Sequence, residues 1–255
     1  MFRYGEMYDG LDDFHEKAWL GEMTPFRIFG NTYFVGAYQA SSHLIDTGDG
    51  LILIDTGYAE TTHLVLDSIY RLGFDPRDIK YIINTHWHND HTAATAALAY
   101  LSGAKALIGR DDAERATRYF TPDVLIDDGD TLTLGRTTIR FMHTPGHTKG
   151  TVSIFYDETD GERTYRVGMF GGAGLNTLIP GRFEFDGCQE AYFASLARLK
   201  GERVDIFLGN HTWNNGTYEK YKKLEETGEN DFIDPTLWPR FLDEYKHRLE
   251  EKMKK

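Results

Sequence analysis

At 255 residues, 40% of them hydrophobic and 14% aromatic, the chain is long enough for one large domain or two small ones and has the apolar mass to fill a core. Its formal charge of −12, from 28 Lys and Arg against 40 Asp and Glu, argues against general binding to nucleic-acid phosphates, and no apolar run approaches the roughly 18 residues that suggest a membrane-spanning helix. The single cysteine, Cys188, excludes an internal disulfide, and the acidic start from Met1 to Glu22 lacks the basic head and apolar middle of a secretory signal, so a cytoplasmic chain is expected.

Residues 1–24 read as an N-terminal arm with one helix around Asp12 to Leu20. Pro25 to Val35 reads as two strands joined by Gly30-Asn31, a hairpin signal. Ser42 to Asp46 and Leu51 to Asp55 are two more strands, joined through Thr47-Gly48-Asp49-Gly50. Four consecutive strands suggest a mixed or antiparallel sheet rather than simple β-α-β alternation. Thr61 to Leu72 carries Leu64, Val65, Ile69 and Leu72 at helical spacing, and Gly73 is a plausible stop. Asp75-Pro76 turns the chain into a strand, Ile79 to Asn84. An Ala-rich helix follows over Ala93 to Ala99, then a strand over Ala104 to Ile108 and a helix over Asp111 to Arg118 with acidic residues at its start. Thr121 to Gly129 reads as a connector.

Strands return at Asp130 to Leu134, Thr137 to His143, Thr151 to Tyr156 and Tyr165 to Phe170. A glycine-rich loop follows, Gly171-Gly172-Ala173-Gly174. Cys188 to Leu199 is a helix, and Val204 to Leu208 a strand that stops at Gly209-Asn210-His211. The remainder is helical and charged: Tyr218 to Glu226, then Pro235 to about Lys252 with Asp234 as N-cap. Both halves run strands first and helices after, which predicts a sandwich with two sheets inside and helices outside. No interdomain linker breaks the chain, so 1–255 is expected to form a single domain, with a helical C-terminal segment over 213–255.

Between the strand ending at Asn84 and the Ala-rich helix lies Thr85-His86-Trp87-His88-Asn89-Asp90-His91-Thr92. In α/β architectures the crevice at the carboxyl ends of strands is where ligands bind. Imidazoles and carboxylates are good zinc ligands. His86 and His88 point the same way in an extended segment, and Asp90 and His91 sit at the turn into the helix. The spacing suits two adjacent metals, but four residues cannot complete two sites. His147, in a turn between two strands, and His211, directly after a strand, are the candidates to complete them. A lone histidine is more often a core or surface residue, and that reading is kept for His15, His43, His63 and His247, with a structural role for His143. Cys188 is expected to be a packed thiol rather than a nucleophile. Phe183, Phe185, Trp213 and Phe232, in the loops 171–185 and 213–231, are candidate pocket walls, with ordinary core as the alternative.

His-x-His-x-Asp-His with the later Thr144-Pro145-Gly146-His147-Thr148, and the strand end Asp55-Thr56-Gly57, resemble the metallo-β-lactamase superfamily from about Pro25 onward. The resemblance implies an α/β (α+β) fold, a four-layer αββα sandwich, and a binuclear centre with two Zn²⁺, iron or manganese being the alternative metals. His86, His88 and His147 would hold one metal; Asp90, His91 and His211 the other. A hydroxide between them would be the nucleophile, and Asp90 would also be catalytic by orienting it. Asp55 resembles the family's structural aspartate beside the site, supporting ligands rather than binding metal.

Many members carry a bridging aspartate after the strand equivalent to Tyr165 to Phe170. Here that place reads Gly168-Met169-Phe170-Gly171-Gly172, without a carboxylate, which is similar to subclass B3 enzymes. The Pro25 to Gly36 stretch and the tail from Asp231 to Pro235 are also similar to that subclass. Its usual serines are absent from the Gly171 to Thr177 loop. The expected activity is hydrolysis of a small-molecule carbonyl substrate, β-lactamase-like, with lactonase or thioesterase as the alternative and an iron-dependent oxidoreductase of the same superfamily as the alternative of another class. No nucleic-acid or membrane partner is expected.

Overall fold

In the strand Leu51–Ile54 successive side chains go to opposite faces, and all four are buried. Leu51 and Leu53 pack against helical Val65, Ile69 and Leu98. Ile52 and Ile54 face the other way, into a cluster with Ile139, Phe141, Ile154 and Met169 from a second sheet. Burial on both faces is why this stretch reads as an unbroken apolar run. The outer face of the second sheet, with Met142, Phe155 and Phe207, packs on helical Tyr192, Leu196, Trp238, Phe241 and Leu249. The layers are therefore helix, sheet, sheet, helix, an αββα sandwich. This computed structural model describes residues 17–254. The arm through Glu16, with His15 and most of the helix predicted from Asp12, lies outside them; the described part of that prediction is a 3₁₀ turn, Ala18–Gly21.

The first sheet contains β1 (Phe26–Phe29), β2 (Thr32–Phe34), β3 (His43–Asp46), β4 (Leu51–Ile54), β5 (Ile79–Asn84), β6 (Lys105–Gly109) and β7 (Val124–Ile126), in that spatial order. Its first four strands are antiparallel, and β4 to β7 run parallel. The second sheet holds β8 (Thr131–Leu134), β9 (Thr137–His143), β10 (Val152–Thr159), β11 (Thr164–Met169) and β12 (Ile206–Phe207), antiparallel until β12 joins β11 in parallel. Each sheet turns parallel where a helix supplies the crossover: α1 (Thr62–Arg71) between β4 and β5, and α5 (Cys188–Leu199) between β11 and β12.

Several elements differ from expectation. The connector before Asp130 contains β7, an edge strand whose only buried residue is Ile126, too short to show a period. The Ala-rich helix is two pieces, α2 (Asn89–Thr92) and α3 (Thr95–Ser102). The helix expected over 111–118 shrinks to a 3₁₀ turn and α4 (Ala113–Ala116), because Asp112 turns inward instead of capping. After β12 come α6 (Thr212–Asn215), α7 (Thr217–Thr227) and α8 (Leu237–Met253). Asp234 is not the N-cap of α8: its Oδ1 accepts from Thr236 N and Oγ1 at 2.9 and 2.6 Å, a turn that precedes the helix. No helix is long and apolar enough to cross a membrane among the described residues.

Trp238 anchors α8. Its ring lies 5.1 Å from Phe207, and its Nε1 donates to Leu199 O at 3.1 Å. Trp238→Ala is expected to lower unfolding free energy by about 3–5 kcal/mol, read from denaturant midpoints. A loss below about 1 kcal/mol would mean α8 is an appendage that the sandwich does not need.

Candidate metal centre

The parallel strands deliver the site. β4 leads into Asp55 and β5 toward His86; the β9–β10 turn brings His147, and β12 leads toward His211. The six residues meet there. His86 is central, its ring centroid 4.8 Å from His88, 4.2 Å from His91 and 4.7 Å from His147. Two groups offer ligand atoms within 4.8 Å of one another: His86, His88 and His147, and His86, Asp90 and His91. His211 approaches from the far side, Nε2 3.6 Å from Asp90 Oδ2 and ring 5.0 Å from His91.

Hydrogen bonds behind the rings decide which nitrogen each offers. Thr85 Oγ1 donates to Asp55 Oδ2 at 2.8 Å, so it can only accept from His86 Nδ1 at 3.1 Å. His147 Nδ1 donates to Gly174 O at 2.8 Å, and His211 Nδ1 to Gln39 O at 2.5 Å. His91 Nδ1 donates to Asp55 Oδ2 at 2.8 Å. Four imidazoles are thus fixed with Nε2 toward the centre. Nε2 of His86 and of His91 is buried without a hydrogen bond, though His91 Nε2 is 3.2 Å from Asp90 Oδ2. His88 instead presents Nδ1, 3.0 Å from His147 Nε2. Tetrahedral zinc with bonds of about 2.0–2.1 Å sets its nitrogens about 3.3 Å apart. Donor chemistry, convergence and orphaned nitrogens all fit bound metal.

Electrostatics agree. Burial, and then the neighbouring imidazoles, hold His86 and His147 well below the usual histidine range, and burial holds His88 at about 4. Burial likewise lowers His211. These rings are neutral, with lone pairs available. Burial also works against a charge on His91, but Asp90 and Asp55 overcome it and push it up to about 10. Burial opposes ionisation of Asp90, yet His91, His211 and His88 keep its carboxyl below the usual range.

Asp55 has the one positive φ, +54°, among described non-glycine residues. The bend turns its carboxylate onto Thr85 N (2.7 Å), Thr85 Oγ1 and His91. Asp112, unforeseen from sequence, clamps the two ligand loops together. It accepts from Trp87 N and Thr148 Oγ1 through Oδ2 and from Gly150 N through Oδ1, at 3.1, 2.6 and 2.7 Å. Gly172 and Gly174 let their loop close on His147, since a Cβ there would sit 2.9 Å from His147 Cβ and 2.8 Å from its Cε1 respectively. Trp213 stacks on His211 at 4.5 Å and 8°, and is 57% exposed.

The other expectations divide. Phe232 is core, 1% exposed and packed on Phe26, so it is not a pocket wall. Phe185 packs partly buried against the α5–α8 cluster, and Phe183 is exposed. Cys188 is a buried thiol. His43 is buried between the sheets beside Phe34, where burial lowers it to about 3. His143 Nε2 donates to Lys149 O, while His63 and His247 are exposed.

Residues 35–161 match the model of the metallo-beta-lactamase superfamily. Among solved structures, a motif mutant of the metallo-beta-lactamase from Cronobacter sakazakii is 30% identical, with a TM-score of 0.83 over 91% of this chain and 97% of that one. The chain belongs to the metallo-β-lactamase superfamily. A subclass B3 metallo-beta-lactamase of Bradyrhizobium japonicum aligns with a TM-score of 0.86 at 29% identity, over 93% of this chain and 96% of that one. A hydroxyacylglutathione hydrolase of Methylococcus capsulatus is 30% identical over 120 residues, 47% of this chain and 43% of that protein. The chain spans about a third to a half of the length of the curated relatives it matches.

Two outcomes follow from the carboxylates of this superfamily site. Asp55→Asn places an amide N–H against a donor, so metal affinity should fall about 10- to 100-fold in a chelator competition; unchanged affinity would mean that His91 needs no such partner. Burial raises Asp112 from 3.8 to about 6, so the folded state holds a proton that the unfolded state gives up. Its contribution is full below about pH 4 and is lost as pH rises through about 6. Unfolding free energy of wild type minus that of Asp112→Asn should therefore fall by up to about 3 kcal/mol across that window; a flat or rising difference refutes the assignment.

Proposed function

We propose that this chain is a binuclear, zinc-dependent hydrolase of a small acyl substrate, with a subclass B3-type site and β-lactam hydrolysis as the leading activity. The observation that carries the reading is the set of four imidazoles whose Nδ1 atoms are each committed behind the ring. His86, His88 and His147 would hold one metal and Asp90, His91 and His211 the other. Metals so held would polarise a carbonyl and lower the pKa of water. Five imidazoles and one carboxylate suit zinc better than manganese.

The chain's own groups do the rest. Asp90 is 18% exposed at its side chain, and its Oδ1 makes no hydrogen bond among the described residues, so it is free to orient water. Trp213 gives an apolar wall on the His211 side, suited to the acyl portion of a substrate. The loop from Gly171 to Thr177 is committed to His147: the Gly174 carbonyl and the Thr177 hydroxyl both bond it. A groove of about 740 Å³ between α5 and α8 shares no residue with this site, and no histidine lines it. Hydrolysis of a thioester is the second reading, favoured by relatives named hydroxyacylglutathione hydrolase.

The test is a panel of a chromogenic β-lactam, a lactone and a glutathione thioester, with metal content measured alongside. His86→Ala and His211→Ala should each lose metal and bring hydrolysis to background. Full activity in both variants would remove the proposal, and dioxygen consumption by an iron-loaded protein would replace it with oxidative chemistry.

A further inference from the structure

We propose that Trp87, Arg115 and Arg118 form a docking point for a carboxylate carried by the substrate, next to the carbonyl-binding centre. The proposal rests on the hydrolase reading and names the class of acyl compound that the site selects.

Trp87 lies in the chain between His86 and His88, and its ring meets His88 edge-on at 4.7 Å. It is held at both ends: its backbone N–H bonds Asp112, and its Nε1 donates to Glu184 Oε1 at 2.9 Å. Two guanidiniums lie over this one indole, the Arg115 Cζ 5.1 Å and the Arg118 Cζ 5.6 Å from the ring centroid. Both side chains belong to exposed residues. Two like charges on one ring repel each other, so the arrangement calls for anions. The chain provides one, Glu184, whose Oε1 is 3.2 Å from Arg115 Nη1. Arg118 has no carboxylate partner among the described residues, whereas Arg77, Arg110 and Arg166 each form an ion pair. Asp112 forms no ion pair with either guanidinium, and its oxygens accept from Trp87, Thr148 and Gly150.

The geometry also suits the task. A guanidinium held over an aromatic face can still offer N–H groups to a carboxylate, and those of Arg118, unlike those of Arg115, are committed to none among the described residues. The same indole meets the His88 ring at 4.7 Å, so an anion bound over it lies beside the metal ligands. The histidine cluster therefore has two unlike neighbours: this cationic group by His88, and exposed Trp213 by His211. A substrate with a carboxylate on one side of its carbonyl and an apolar group on the other matches both. A net charge of −12 would otherwise disfavour any anion, which makes a local cationic pair consequential.

The experiment uses ω-mercaptocarboxylates of graded length and their neutral amides, titrated calorimetrically into zinc-loaded protein. Wild type should bind the best acid about tenfold more tightly than its amide, with the preference shrinking as salt rises. Arg115→Gln with Arg118→Gln should bring the ratio near one, leaving amide affinity and metal content unchanged. An equal ratio in wild type and double variant, or no preference in wild type, overturns the docking point. Selective acid binding without turnover of any acyl substrate would reject the hydrolase reading and leave the docking point standing. Protein that takes up no metal would overturn both.

Discussion

A buried imidazole can offer a lone pair to a metal only if it is neutral and its other nitrogen is satisfied. At this site the second condition is met four times, by a hydroxyl from Thr85, a carboxylate from Asp55, and carbonyls from Gly174 and Gln39, and burial keeps three of those four rings, His86, His147 and His211, neutral. The partners come from four separate segments, so the centre exists only once both sheets have assembled. Register matters as much as topology. A one-residue slip of β5 against β4 would invert Ile82 and Ile83 and carry the histidine segment with them. The apolar layer between the sheets therefore fixes the direction of polar groups at its rim.

The arrangement has local costs. Asp55 holds a left-handed backbone conformation, which side chains other than glycine adopt at some expense. Asp112 is buried with a carboxyl that burial pushes up to about 6. Gly150 must be a glycine because a Cβ there would fall 2.3 Å from Asp112 N. These features concentrate around the histidines, where strained conformations and buried polar groups are ordinarily maintained by function. They also explain the glycine-rich loop: Gly172 and Gly174 bring a backbone carbonyl against His147 that no side chain there could allow.

What could be read from sequence was what leaves a side-chain pattern. The six ligand-type residues, the strand ends that carry them and the alternating sheets all do. Helix Cys188–Leu199 was legible to the residue because its apolar positions repeat over three turns. Backbone acceptors leave no such pattern, so Gln39 and Gly174 were invisible. Asp112 looked like a helix-start residue beside Asp111, because inward and outward aspartates are identical in a sequence. β7 and α4 span three and four residues, less than one informative period. Phe232 followed the loop–aromatic pattern of a pocket wall as well as that of core, and its burial and its contact with Phe26 decide for core.

The charges of the centre point the same way as its hydrogen bonds. Asp90 and Asp55 bring two carboxylates into a buried space where four of the five imidazoles are neutral. In the ion-free chain His91 answers them by keeping a proton, held up to about 10 despite its burial. That proton sits on the ring whose Nε2 faces Asp90 at 3.2 Å, the nitrogen a metal would need. Proton and metal therefore compete for one lone pair, and uptake of a divalent ion must release the proton. The same two carboxylates that make the site costly without a cation make it selective for one of higher charge.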